Sequence, residues 1–460
     1  MSARWRRLRP LEDGVAGGGA KAARLSAALR AGCPVLPGWV VPAAESRPAV
    51  RAAAAVLRAG QPAAGRRAVL SYPPDPGLAA ELREAATSLG GRVIVRSSSR
   101  LEADPRWSGA FSTVAGVGPD EVMTAVRSCW ASAFAVDPLA RLGSCGLPLE
   151  ALELGILIQP EICPAAGGVA RAEPPAPADG EGGVASARPL TASGSVEVVV
   201  EGVEGHPGAL LAGWADGASA RVTLPGPAGA GSLRRGSRPP AADGPLLDLL
   251  GRDLVIWVAR LAEDVRRRLG DETIEWAVHD GQVWLWQSLP AHPARSARAF
   301  RPGPPGPAGT AAASVPSGAG ATCGTGAPGP HLAAREWMPL LGAAVQEHGR
   351  HLRGWPAVAG QAAGRLVACW PHERPPAATR DAILLIDRPL PALAPLLFTA
   401  RGVLSRSGAA GSHLARVARS LSVPMVTGCR LETVTGAGPP DASWLAAIDG
   451  ATGDVALLQG

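Results

Sequence analysis

Lysine is all but missing from this 460-residue chain: of its 45 basic side chains every one but Lys21 is arginine. Arginine replaces lysine at most solvated positions, but not where a compact ammonium must meet a phosphate as a point charge, so the survivor is conspicuous. No apolar run approaches the ~18 residues that a membrane-spanning helix needs. Arg4, Arg6, Arg7 and Arg9 stand at the N-terminus, but the stretch from Leu11 to Ala20 is acidic and Gly-rich rather than an apolar signal core. The expectation is a soluble cytoplasmic protein with no membrane partner. The seven cysteines (33, 129, 145, 163, 323, 369 and 429) include no C-x-x-C pair, which argues against a zinc site and against a disulfide framework. The net charge of +6 comes from dispersed arginines, without a basic stripe studded with aromatics, so no nucleic-acid partner is expected. There is no internal repeat.

What is present is ample apolar material, 47% of the residues, enough for two or three domains with cores of their own. Residues 20–31 read as a helix, with Leu25 and Leu29 four apart and Gly32 as its stop. A strand entry follows at Val35 to Val41, then Ala-rich helices at 46–60 and 77–89, a buried strand at 93–95 and a helix at 119–134. Residues 154–159 and 196–200 read as strands, 246–269 as one helix, and 273–279 with 282–287 as a hairpin around Asp280-Gly281. Two low-complexity stretches, 164–192 and 224–244, read as loops. Residues 300–330, rich in Pro, Gly, Ala and Ser without a period, read as a linker, followed by helices at 331–353.

The run Gly17-Gly18-Gly19-Ala20-Lys21 invites comparison with a P-loop, but the spacing from Gly14 misses by one residue and Ala22 stands where Ser or Thr would bind magnesium. The order of several longer strings is more telling. G-G-A-K-A-A-R-L (18–25) with A-G-C-P-V-L-P-G-W-V-V (31–41), V-I-V-R-S-S-S (93–99), W-S-G-A-F-S-T (107–113), C-W-A-S-A-F (129–134), I-L-I-Q-P-E-I (156–162), I-E-W-A (274–277) and W-L-W-Q-S-L-P (284–290) resemble, in sequence order, the ATP-binding domain shared by phosphoenolpyruvate synthase, pyruvate phosphate dikinase and rifampicin phosphotransferase. The resemblance implies an ATP-grasp-like fold. It assigns Lys21 and Arg96 to the phosphates, adds Thr113 and Gln159 to the nucleotide contacts, and makes Glu275 and Gln287 the ligands of Mg²⁺. Glu275 would otherwise read as a hairpin surface charge.

A second string, G-V-L-S-R-S-G-A-A-G-S-H (402–413) continuing L-A-R-V-A-R-S-L-S-V-P-M-V, resembles the same family's mobile domain, G-x-V-T-E-x-G-G-x-x-S-H-A-A-I-V-A-R, whose histidine carries phosphate. By its residues alone, Ser412 is a good N-cap, Leu414, Val417 and Leu421 form an apolar stripe, and Pro424 halts the helix. His413 then lies in the first turn, where free N–H groups and the helix dipole favour a phosphoryl group. The other reading of a lone histidine there is a simple helix-end residue. Arg406, Ala409 and Ser420 depart from the family's pattern.

Two further departures shape the expectation. Leu289 stands where the family's Q-x-R-P places an arginine on the terminal phosphates, and losing such a guanidinium costs on the order of 10³ in rate; Arg100 is a candidate substitute. The stretch 201–213 follows the family's G-L-G-E motif only loosely. Nor is there room for the barrel that holds phosphoenolpyruvate in the synthase and dikinase, which takes about 250 residues. The resemblance therefore implies a multidomain α+β protein: an ATP-grasp-like domain (1–292), a linker (293–330), a short helical connector (331–372) and a swivelling phosphohistidine domain (373–460). The expected activity is a phosphotransferase using ATP and Mg²⁺, with His413, Lys21 and Arg96 catalytic, and with a small molecule or a separate protein as acceptor. The competing expectation is a nucleotide-binding pseudoenzyme that senses or scaffolds.

Overall fold

The computed structural model describes residues 7–14, 16–61, 64–173, 195–225, 241–290, 349–370, 379–429 and 444–459. They form three sheets. The first comprises β1 (Arg9–Pro10), β2 (Trp39–Val41), β3 (Val93–Ser99), β4 (Thr113–Val117) and β5 (Leu154–Pro160), in the order β1-β2-β5-β3-β4 and antiparallel throughout. All seven residues of β3 are buried because both of its faces are covered. Val93 and Val95 pack into a core shared with the helices Pro76–Ser88 and Val122–Ser132, whereas Ile94 packs against Trp286 on the other side. The period-2 alternation of a strand therefore turns Arg96 towards the same side as Ile94.

The second sheet holds β6 (Ala166–Glu173), β7 (Val196–Glu204), β8 (Ala218–Leu224), β9 (Ala241–Asp243), β10 (Asp271–His279) and β11 (Gln282–Pro290), in the antiparallel order β11-β10-β6-β7-β8-β9. Two helices cover one face: α1 (Gly19–Arg30), through Ala22, Leu25 and Ala28, and α2 (Arg252–Leu269), through Val255, Val258, Ala259, Ala262 and Val265. The latter spacing of three and four is the apolar stripe of an amphipathic helix. Ile274 and Trp276 of β10 point into that core, and Glu275 between them points the other way. The backbone N–H of Leu285 donates to the carbonyl of Pro34 at 2.7 Å, tying this hairpin to the chain that leaves α1.

The third sheet has eight strands: β12 (Gly349–Arg353), β13 (Trp355–Val358), β14 (Gln361–Cys369), β15 (Ile383–Ile386), β16 (Gly402–Ser405), β17 (Met425–Thr427), β18 (Trp444–Asp449) and β19 (Asp454–Gln459). The strands β14 to β17 run parallel, and the pairs outside them are antiparallel. The helix α3 (His413–Ser420) packs Leu414, Val417 and Ala418 on one face of this sheet.

The structure departs from the sequence expectation in several places. Ala166–Glu173, read as part of a loop, is a central strand, because pairing on both sides by β10 and β7 overrides a Gly- and Ala-rich composition with weak strand propensity. Residues 349–369, read as the end of a helical connector, are three strands of the third sheet. The helix at 246–269 is two, Leu246–Leu250 and α2, broken at Gly251. The linker at 293–330, the helices read at 331–348, and most of the two low-complexity stretches (174–194 and 226–240) lie outside the described residues.

Trp276 is fully buried, with its ring against Gly202 of β7. Trp276→Ala should destabilise the protein by about 3–5 kcal/mol, the usual cost of such a truncation, as read from the midpoint of denaturant unfolding.

Candidate functional site

A cavity of about 440 Å³ lies where the first two sheets meet the third domain. Its floor is basic. Gly19 opens α1 with φ +83° and sits so close to Ser98 of β3 that a Cβ there would strike the Ser98 carbonyl. This contact, reinforced by the Ala22 N–H donating to Ser98 Oγ at 3.0 Å, sets the first turn of α1 against β3. Lys21 is 7% exposed, and its Nζ donates to the Ser97 carbonyl at 2.8 Å and to Glu102 Oε1 at 3.2 Å. Arg96, 4% exposed, donates from Nη1 to the carbonyl of Trp286 at 2.8 Å and to Gln159 Oε1 at 3.1 Å, with its guanidinium 5.2 Å from the Trp286 ring centre. The cavity is lined by Lys21, Arg96 and Thr113 but not by Gln159, whose amide is occupied at both ends by Arg96 and the Leu36 carbonyl. Gln159 thus stands behind Arg96 rather than in the cavity.

Glu275 and Gln287 are direct cross-strand partners on β10 and β11, and both line the cavity. Glu275 is 3% exposed, which excludes a hairpin surface charge. A buried carboxylate needs a cation, and here one arrives from the third domain: Arg416 Nη1 donates to Glu275 Oε1 at 2.7 Å. Burial pushes the Glu275 carboxyl up, but Arg416, helped by Arg96, outweighs it and holds the group below its ordinary range. One carboxylate and one amide oxygen fit Mg²⁺ as the protein's share of a shell completed by phosphate oxygens and water. Among the described residues no cluster of three or more His, Cys, Asp and Glu could hold a metal without such help.

His413 enters from the opposite wall. Ser412 caps α3 by accepting from the Ala415 N–H at 3.3 Å, as its sequence position predicts. The His413 Nδ1 lies 2.9 Å from Ser108 Oγ, across the domain boundary. Burial, followed by the charge of Arg416, lowers its pKa to about 3, so the ring is a neutral imidazole across the physiological range. Gly109, at φ +68°, makes this approach possible, since a Cβ there would stand 2.8 Å from His413 Cγ.

Several residues that hold this arrangement were not read from the sequence. Arg141 is fully buried and donates to the carbonyls of Arg106 and Ser108 at 2.7 and 3.0 Å, to both oxygens of Asp137, and to the Pro391 carbonyl of the third domain at 3.2 Å. It positions the Ser108 turn and grips the mobile side at once. Asp216 accepts from the Gly408 N–H at 2.6 Å, and Glu201, half-buried, faces the backbone of Ala410 and Gly411. Two carboxylates therefore clamp the loop that leads to His413. Arg416 stands in the string H-L-A-R where the resembling pattern has Ile, and that difference was the available signal. Leu289, 9% exposed, lines the cavity; Arg100, offered as its substitute, is exposed and does not.

The folded site therefore has the parts of a nucleotide-binding domain with a mobile histidine domain docked on it. Residues 16–206 match the model for the pyruvate phosphate dikinase AMP/ATP-binding domain, and residues 378–453 match that for the mobile domain of PEP-utilising enzymes. Both matches are to domains of phosphoenolpyruvate synthase/pyruvate phosphate dikinase-like proteins, and together they indicate an ATP-binding phosphotransferase of that type. The first match ends inside the second sheet, so the hairpin bearing Glu275 and Gln287 lies beyond it. No curated protein matches the chain. One solved structure similar to part of it, the crystal structure of Thermococcus kodakaraensis aconitase X (holo-form), shares 15% identity over 24% of this chain and 98% of that chain, at a TM-score of 0.19. No described helix is long and apolar enough to cross a membrane.

Gly109→Ala tests the docking geometry. A methyl group at that backbone angle forces either the turn or the His413 ring to move. The expected result is a loss of at least about 10²-fold in any step that uses His413, since misplacement by about 1 Å carries that cost, with ATP affinity unchanged when measured by calorimetry.

Proposed function

We propose that this protein is an ATP-dependent phosphotransferase in which His413 takes a phosphoryl group from ATP and passes it to an acceptor, either a small molecule or a separate protein. The observation that carries this reading is the His413 imidazole in the same cavity as the chain's one lysine and the buried Arg96. Lys21 and Arg96 meet the phosphate oxygens, while Ile94, His206 and Trp286 offer an apolar surface to the base. Glu275 and Gln287 would hold Mg²⁺, which neutralises charge on the phosphates. With Nδ1–H donated to Ser108 Oγ, the Nε2 lone pair of His413 is available for attack. A nitrogen–phosphorus bond forms as the bond to the departing phosphate oxygen breaks, and that oxygen leaves with the electron pair. Docking and metal binding share one carboxylate, because the Glu275 oxygen that Arg416 holds is a ligand atom in this reading.

Leu289 is the observation on the side of a sensing pseudoenzyme, since it removes a cation from the cavity wall. Incubation with γ- and β-labelled ATP separates the two readings. Transfer predicts acid-labile label on the His413 peptide, lost in His413→Ala; ATP-dependent thermal stabilisation without label from either position refutes it.

The protonation state gives a further expectation. The folded-state pKa of about 3 lies below the unfolded value near 6.5, so between these limits the unfolded chain binds the extra proton. Stability contributed by neutral His413 is therefore present above pH 6.5 and is lost as pH falls towards 3. The labelling rate should show no imidazole titration between about pH 5 and 8, and His413→Asn should flatten the acid side of the stability profile in that window.

A further inference from the structure

Among the cavity-lining arginines, Arg416 is distinctive. Its side chain is 5% exposed, Nη1 is bound to Glu275, and both Nε and Nη2 are buried without a hydrogen-bond partner. Arg419, by contrast, donates from Nη2 to the carbonyls of Ala357 and Ala410, and Arg171 lies in the field of Glu201 and Glu272. A guanidinium is a fork of five N–H donors, and burying two of its nitrogens, which carry three of those donors, unpaired is unfavourable unless the site's ligand supplies an acceptor. The location fits an anion. Arg416 follows His413 by three residues on α3, so both side chains share one face of that helix. Glu275, which it holds, is the cross-strand partner of Gln287, and Leu289 lies on the same face of β11, about 7 Å further along.

Relative to the resembling pattern, the chain exchanges two side chains across one cavity: arginine becomes leucine at 289, and isoleucine becomes arginine at 416. We propose that Arg416 supplies the guanidinium that Leu289 lacks, binding a non-bridging oxygen of the phosphoryl group that His413 takes. This rests on the transfer reading and adds a catalytic residue to it. The cation moves with the nucleophile instead of being fixed in the nucleotide domain, so full charge neutralisation of the phosphates coincides with arrival of the imidazole. ATP then binds without Arg416, and transfer requires it.

The test is single-turnover labelling of His413 by labelled ATP in the full chain, with ATP affinity measured in parallel. Arg416→Met should slow labelling by about 10³-fold, the scale of an arginine acting on a transferred phosphoryl group, while ATP affinity changes by less than about threefold. Adding Leu289→Arg to Arg416→Met should recover at least about tenfold of the rate, which a purely structural role for Arg416 would not allow. Should Arg416→Met not fold, Arg416→Lys, which keeps the charge on Glu275 but not the fork, should still slow labelling by about tenfold or more. Labelling at the wild-type rate in these variants, or a loss that Leu289→Arg leaves wholly unrepaired, overturns the assignment. A wild-type chain that forms no phosphohistidine refutes the transfer reading itself, and this assignment with it, an outcome distinct from a labelled wild type with an equally fast variant.

Discussion

A carboxylate removed from water must find a cation or give up its charge, and Glu275 finds its cation in another domain. The pair it makes with Arg416 is shielded from solvent on both sides. Its geometry fixes more than itself. Because His413 and Arg416 are a turn apart on one helix, seating the guanidinium on Glu275 also seats the imidazole against Ser108. The same guanidinium, after burial, is the leading electrostatic reason that His413 stays neutral. One interaction thus joins domain docking, the charge state of His413 and the placement of the Glu275 carboxylate.

Around it the contacts are of a different kind. Asp216 and Glu201 meet backbone N–H groups of the loop before His413, and Arg141 and Arg388 reach carbonyls across the boundary. Charge-assisted hydrogen bonds to backbone are directional, so they define a docked orientation. The small residues of the loop, Gly408 to Gly411, keep it thin enough to enter beside the carboxylates.

The cations of the nucleotide side are each held at several points. Lys21 and Arg96 are each held by backbone carbonyls and by a second side chain, Glu102 for the ammonium and Gln159 for the guanidinium. Preorganised cations of this sort need little rearrangement when a phosphate arrives, which is where electrostatic stabilisation has most effect. Leu289 leaves one gap in that set, in the same cavity that His413 and Arg416 line.

The sequence by itself determined the local features: the helix after the glycine run, the hairpin bearing Glu275 and Gln287, the Ser412 cap, and the ordered strings that identify two domains. Each depends on neighbours in the chain, through turn chemistry, capping or periodicity. Tertiary structure alone decided which charges meet. That Gln159 stands behind Arg96, that Arg100 faces solvent, that Ala166–Glu173 is a central strand, and that Arg416 reaches Glu275 across 141 positions are matters of packing between distant segments. A linear pattern records the charge at 416 but not the buried carboxylate that makes it consequential, because Coulomb and desolvation energies depend on distance in space and on exposure, and neither is a property of position in the chain.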